Sequence, residues 1–170
     1  MTRKSAFHTL TTLMLLAGIA QAQGLEQGLT AEQYNTRALE LADKAKAQYP
    51  VAFYDLMGWK EAVQNAEAAV KAEPDNLDYQ RTLGMLYTQT QVWYKAYQVW
   101  TGLEAKTTLD PEAKAWAALS AARIGYIRIM SGKPEEAQPF LEASLRWQNN
   151  PKVQALLERA EGRSSAINDQ

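Results

Sequence analysis

The chain has 170 residues, about the size of one domain, with 18 basic and 19 acidic side chains and a formal net charge of −1. That balance gives no electrostatic footprint for nucleic acid. There is no cysteine, and the one histidine is His8. Beyond the first residues this excludes disulfides, thiol nucleophiles, His-based triads and ordinary zinc sites. Chemistry using carboxylates alone stays open, but no spacing positions it.

The N-terminus reads as a targeting segment. Arg3 and Lys4 form a basic start, Leu10 to Ala20 is apolar, and Ala20-Gln21-Ala22 is a small-x-small cleavage site. This predicts a signal peptide over 1–22 and a mature chain from Gln23. The competing reading is an uncleaved anchor, but the apolar run falls short of the ~20 residues that span a bilayer. No cysteine follows it, which argues against a lipid-anchored protein. Loss of Arg3 and Lys4 leaves 16 basic against 19 acidic residues, a balance of −3. The expected product is exported, periplasmic or secreted, with no stable membrane insertion, and packing alone must stabilise it.

In chain order, residues 23–29 read as a lead-in, and Thr30 with Gln33 as a capping box. Tyr34, Ala38, Leu41, Ala42, Ala45 and Tyr49 then form the stripe of a helix ending at Pro50. Val51 to Gly58 is a connector. From Trp59 to Pro74, Ala62, Val63, Ala66, Ala69 and Val70 recur at three- and four-residue steps, and Asp75 or Asn76 caps the next helix. That helix, Leu77 to Gln89, turns Leu83, Gly84, Leu86 and Tyr87 inward. Another, Val92 to Leu103, carries Trp93, Ala96, Tyr97, Trp100 and Leu103. Asp110-Pro111 is an N-cap followed by a first-turn proline. The helix over 111–131 is apolar almost all round, with Arg123 and Arg128 as its main polar interruptions, and Gly132 closes it. Lys133-Pro134-Glu135-Glu136 opens a helix with Ala137, Leu141, Ser144 and Leu145 inward, ended by Asn149-Asn150-Pro151. A short helix, 152–161, precedes Gly162 and a polar tail, 163–170. No β-pattern competes, so the chain is all-α.

The helices repeat. Trp59 and Trp93 are 34 residues apart, as are Ala62 and Ala96, while Ala96 to Ala137 and Gly84 to Gly125 are 41 apart. Equal offsets in both helices of a hairpin mark one duplicated unit, and the reading puts seven extra residues in the loop near 105–111. Each glycine is expected where a helix crosses its mate, with the alanine as the facing contact.

Leu83-Gly84 with Tyr87 and Ala96, then Ile124-Gly125 with Gly132 and Ala137, resemble the tetratricopeptide repeat. Trp59, Ala62, Ala66, Ala69 and Pro74 match the second helix of an earlier unit. Pro50, Thr108 and Arg128 depart from the pattern, which covers about 31–150. The resemblance implies a short right-handed α-α superhelix of about three hairpins plus a C-terminal capping helix, within 23–162. It also implies a concave groove lined by the first helices. Asp78, Arg81, Met85, Thr88 and Gln89 would face it from one unit, and Leu119, Ala122, Tyr126, Ile129 and Met130 from the next. Family members that grip a terminal carboxylate use Lys and Asn side chains that this chain lacks, Met85 standing at one such place.

Several stretches keep two readings. Trp93, Tyr94, Tyr97 and Trp100 suit a stacking platform, but three of them lie on the inward stripe and are expected in the core. The 111–131 helix suits either full burial or a groove wall. Asp75, Asp78, Asp110, Glu112, Glu135 and Glu136 sit at helix starts and are expected to act as caps rather than catalytic pairs. The function expected is a non-enzymatic scaffold binding a partner protein segment, without cofactor, metal or nucleic acid. A self-associating structural component of the cell envelope is the alternative, and a carboxylate-dependent hydrolase a distant third.

Overall fold

Local signals set the helix boundaries. The Thr30 hydroxyl oxygen accepts from the Gln33 backbone N–H, and the Thr30 backbone N–H donates to the Gln33 side-chain oxygen in return, opening α1 (Ala31–Gln48). The computed structural model describes residues 25–26 and 28–168, with side chains as far as 162. The segment read as a signal peptide lies outside the described residues. Further helices are α2 (Met57–Ala72), α3 (Leu77–Gln89), α4 (Trp93–Glu104), α5 (Pro111–Met130), α6 (Pro134–Trp147) and α7 (Pro151–Asn168). Among the described residues all regular secondary structure is α-helical. Asn76 and Asp110 cap α3 and α5 with their side chains, and Pro111 occupies the first turn of α5.

Two boundaries differ from expectation. Gly58 lies inside α2, its backbone against Ala45 of α1, where an added β-carbon would stand 3.0 Å from the alanine Cβ. Gly162 does not stop the last helix, which runs on to Asn168, so much of the stretch read as a polar tail is helical. An isolated exposed helical glycine costs only about 1 kcal/mol, too little to end a helix held by its neighbours.

The α3–α4 and α5–α6 turns are duplicates, 41 residues apart. Val92 N–H donates to Tyr87 O as Lys133 N–H does to Arg128 O, both at 2.9 Å. Gln91 and Gly132, at φ 63° and 75°, occupy the left-handed position of this helix-ending motif. Thr90 and Ser131 both donate their hydroxyls back to the carbonyl four residues earlier, at 2.7 and 2.8 Å.

The seven-residue difference between repeats is not in the loop. The caps Asn76 and Asp110 are still 34 apart, while the turns are 41 apart. The extra residues lie within α5, which has 20 residues against 13 in α3. Seven residues fall about 20° short of two full turns, so the insertion lengthens the helix without rotating its inward face.

Each helix packs against the next in sequence. Beyond that, α1 meets α3, α3 meets α5 and α5 meets α7, whereas the backbones of the even-numbered helices stay apart. The side chains explain the difference. Between α3 and α5, Thr88 and Ser120 touch hydroxyl to hydroxyl at 2.9 Å. Between α4 and α6 stand rings: Tyr94 and Tyr97 lie 6.1 and 5.2 Å from Phe140, and Tyr97 lies 5.8 Å from Trp147, edge to face. At this pair of hairpins small hydroxyl residues separate the odd helices and aromatic rings the even ones.

The core follows this layout. One cluster runs from Ala38 through Trp59, Leu86 and Trp100 to Trp147, and a second joins Ile129, Ala137, Leu141 and Val153 under α7. The glycines of the repeat meet the expectation in part. Gly84 and Gly125 lie in the seams with α4 and α6, and the tightest neighbour of each is the residue one turn past the alanine. A β-carbon on Gly84 would stand 2.9 Å from the Trp100 ring and 3.1 Å from Val99, and one on Gly125 2.6 Å from Leu141 and 3.4 Å from the Ala137 carbonyl oxygen. Ala96 and Ala137 are themselves fully buried. Of the aromatic set on α4, Trp100 is buried, Trp93 and Tyr97 are half-buried, and Tyr94 is exposed.

Candidate functional site

The face built by the odd-numbered helices is where the sequence placed its candidates, and the structure divides them. Asp78 is exposed. Arg81 is half-buried and grips the α5 cap, bonding both Asp110 carboxylate oxygens (the second at 3.1 Å) and Glu112 at 3.2 Å. Its guanidinium holds the Asp110 carboxyl below the ordinary carboxylate range, aided by the backbone N–H of Ala113. Met85 is half-buried against the main core, Gln89 is half-buried, and Ala122 is half-buried against the second core.

Two candidates do not belong to the surface. Thr88 is 1% exposed: it accepts the Trp100 indole N–H at 3.0 Å, lies 2.8 Å from Gly84 O and pairs with Ser120. Ser120 in turn lies 2.9 Å from Trp116 O, so the N–H and hydroxyls form a relay across α4, α3 and α5 that uses every proton. Ile129 is 2% exposed in the second core. A stripe centred on the exposed side of α5 turns position 129 toward α6 and α7.

Beyond the first turn of α5, the exposed residues are Leu119, Arg123, Tyr126, Ile127 and Met130. Steps of four, three, one and three residues put these on one helical face. Arg123 and Ile127 were not among the sequence candidates. The signal was their spacing from Leu119 and Tyr126, hidden because the whole helix is apolar. The Arg123 guanidinium lies 5.8 Å from the centre of the Trp93 ring.

The lengthened α5 exposes this stripe. Arg81 meets Asp110 and Thr88 meets Ser120, so α3 and α5 run side by side in parallel. Past those contacts α3 has one further residue, Gln89, whereas α5 continues for ten, to Met130. At 1.5 Å per residue that is an overhang of roughly 15 Å. Tyr126, Ile127 and Met130 sit on it, beyond the reach of α3.

At the opposite end of the face, Leu77, Asp78, Arg81, Thr107 and Ala113 border a cavity of about 200 Å³. Near the overhang, the Lys133 ammonium foremost, with Arg128 adding, holds the Glu136 carboxyl below its ordinary range. Burial and a hydrogen bond donated to Glu67 raise the Tyr87 hydroxyl well above its ordinary value and keep it protonated. Among the described residues no His, Cys, Asp and Glu cluster is arranged to hold a metal ion, and no helix is long and apolar enough to cross a membrane.

These features define an all-α protein of stacked helical hairpins with an exposed, largely apolar stripe on its odd-helix face. No model of a known protein family matches the chain, and a search of curated proteins finds no significant match.

Proposed function

We propose that this chain is an exported, non-enzymatic interaction scaffold of tetratricopeptide-like repeats, binding a segment of a partner protein along its odd-helix face. The duplicated turns at Gln91 and Gly132 and the glycine seams support the repeat reading. Close spacing of odd helices against aromatic-separated even helices favours a superhelix concave on the odd side. Export rests on the residue pattern over 1–22.

The observation that carries the binding reading is the α5 stripe. Leu119, Tyr126 and Met130 are 39%, 43% and 63% exposed, side by side on a helix whose other faces are packed. A helix or extended segment lying there buries them. The test is a photo-crosslinking residue at position 126, compared with one at Gln98 on the even-helix side, in envelope extract. A discrete adduct at 126 that is missing at 98 is the expected result, and equal labelling at both positions refutes the site.

Self-association is the second reading, favoured by another apolar patch, Val51, Phe53 and Met57, exposed around the α1–α2 connector. Light scattering across a concentration series separates the two. A monomer throughout removes self-association, and a dimer lost on Phe53→Ser supports it.

A further inference from the structure

Arg123 gives the α5 stripe a polarity. Arg37, Arg81, Arg128 and Arg146 each hold a carboxylate. Among the described residues Arg123 has no such partner and lies against Trp93 instead. Glu136, at the same end of the hairpin, is already shared between Arg128 at 3.0 Å and Lys133 at 2.8 Å. The stripe itself contains no acid: Leu119, Tyr126, Ile127 and Met130 share the exposed face of α5 with Arg123.

We propose that the segment received by this stripe is an amphipathic helix of a partner protein carrying an Asp or Glu among its apolar anchors, the carboxylate pairing with Arg123. The inference rests on the binding reading above and adds the partner's chemistry and register. An apolar segment without an acid covers the guanidinium while leaving its charge unmatched, at the cost of desolvation. A partly desolvated Arg–carboxylate pair is bidentate and directional, so it fixes where the apolar residues fall. The anchors on α5 recur at seven and eleven residues from Leu119, a spacing that a second helix meets along its length. A second copy of this chain is a poor occupant, because face-to-face pairing sets Arg123 against apolar groups or another Arg123. A lipid surface is poorer still, since electrostatic docking there takes a cluster of about four to eight basic residues.

The experiment is selection of a phage-displayed random 16-residue peptide library on the purified full chain, followed by fluorescence anisotropy of the winners. Each winner is made with its acid intact and as the Glu→Gln and Glu→Lys forms. The expected winners carry one acid flanked by apolar residues and lose about tenfold affinity on Glu→Gln and more on Glu→Lys. Arg123→Lys keeps the preference for acid and Arg123→Glu inverts it, with circular dichroism melts showing both variants folded. Winners that lack an acid, or that bind the native chain and Arg123→Glu equally, overturn the charge assignment. If such winners still lose binding on Tyr126→Asp, the stripe survives as a docking site and only its partner's chemistry falls. Absence of enrichment, or winners indifferent to Tyr126→Asp, overturns both.

Discussion

Gly125 lies directly beneath Leu141, so close that a β-carbon would stand 2.6 Å from Leu141 Cδ2 and 2.7 Å from Cγ. Leu141 is fully buried, and Cγ is not the free end of a flexible chain, so relief requires a shift of α6. Gly125→Ala should therefore destabilise. Overpacking of this kind costs about 1–3 kcal/mol, against about 1 kcal/mol gained in helix propensity. Gly102, in α4 with nothing within 4 Å of its added β-carbon, is the control. Gly102→Ala should stabilise by up to ~1 kcal/mol. Urea unfolding of the two alanine variants decides: changes of the same sign contradict the seam.

The Trp100–Thr88–Ser120 relay makes a second prediction. Thr88→Val keeps the shape but leaves the buried indole N–H without its acceptor, a loss of about 1–3 kcal/mol. Trp100→Phe removes that donor, so the pair of changes should cost less together than the sum of each alone. Trp100→Ala should cost about 3–5 kcal/mol, the usual range for large-to-small core changes. Strict additivity in the double-mutant cycle shows that the bond contributes nothing.

How far the sequence carried can be judged from the same residues. Caps at Thr30 and Asp110, the left-handed stop at Gly132 and the seam positions of Gly84 and Gly125 are legible, because each depends on one residue type at one local geometry. Gly58 and Gly162 carry no such local signature, and the cap of α3 stays open between Asp75 and Asn76. The seven-residue insertion was countable but not placeable, since an offset does not distinguish a longer loop from a longer helix. The burial of Thr88 is not legible from its own helix, because its partners, Trp100 and Ser120, come from other helices. On α5 nearly every position is apolar, so periodicity has no phase to report and does not separate buried Ile129 from exposed Ile127.

The Arg81–Asp110 pair predicts an acid dependence of definite sign. The folded carboxyl titrates below its ordinary value of 3.8, held down first by the Arg81 hydrogen bond and then by Ala113 N–H. Its contribution is therefore complete above pH 3.8 and is lost as pH falls through the depressed folded value. Asp110→Asn keeps an N-cap acceptor for Ala113 but removes the charge. Urea midpoints taken from pH 7 down to 2.5 should fall more steeply in the native chain than in Asp110→Asn. Parallel curves contradict the assignment.

Ile127 and Ile129 stand two residues apart on α5, and their opposite fates test the overhang. Ile127 is 47% exposed beyond the end of α3, whereas Ile129 is 2% exposed among Leu141, Val153 and Leu157. Ile129→Ala should cost about 2–5 kcal/mol, by lost burial and the cavity left behind. Ile127→Gln should change stability by no more than about 0.5 kcal/mol, as surface substitutions do. It should nevertheless weaken capture of a segment on the α5 stripe, separating fold from binding in one residue. Thermal melts and peptide anisotropy on the two variants provide the check. If Ile127→Gln destabilises as much as Ile129→Ala, some other part of the chain packs over the last turns of α5, and the stripe is not an open surface.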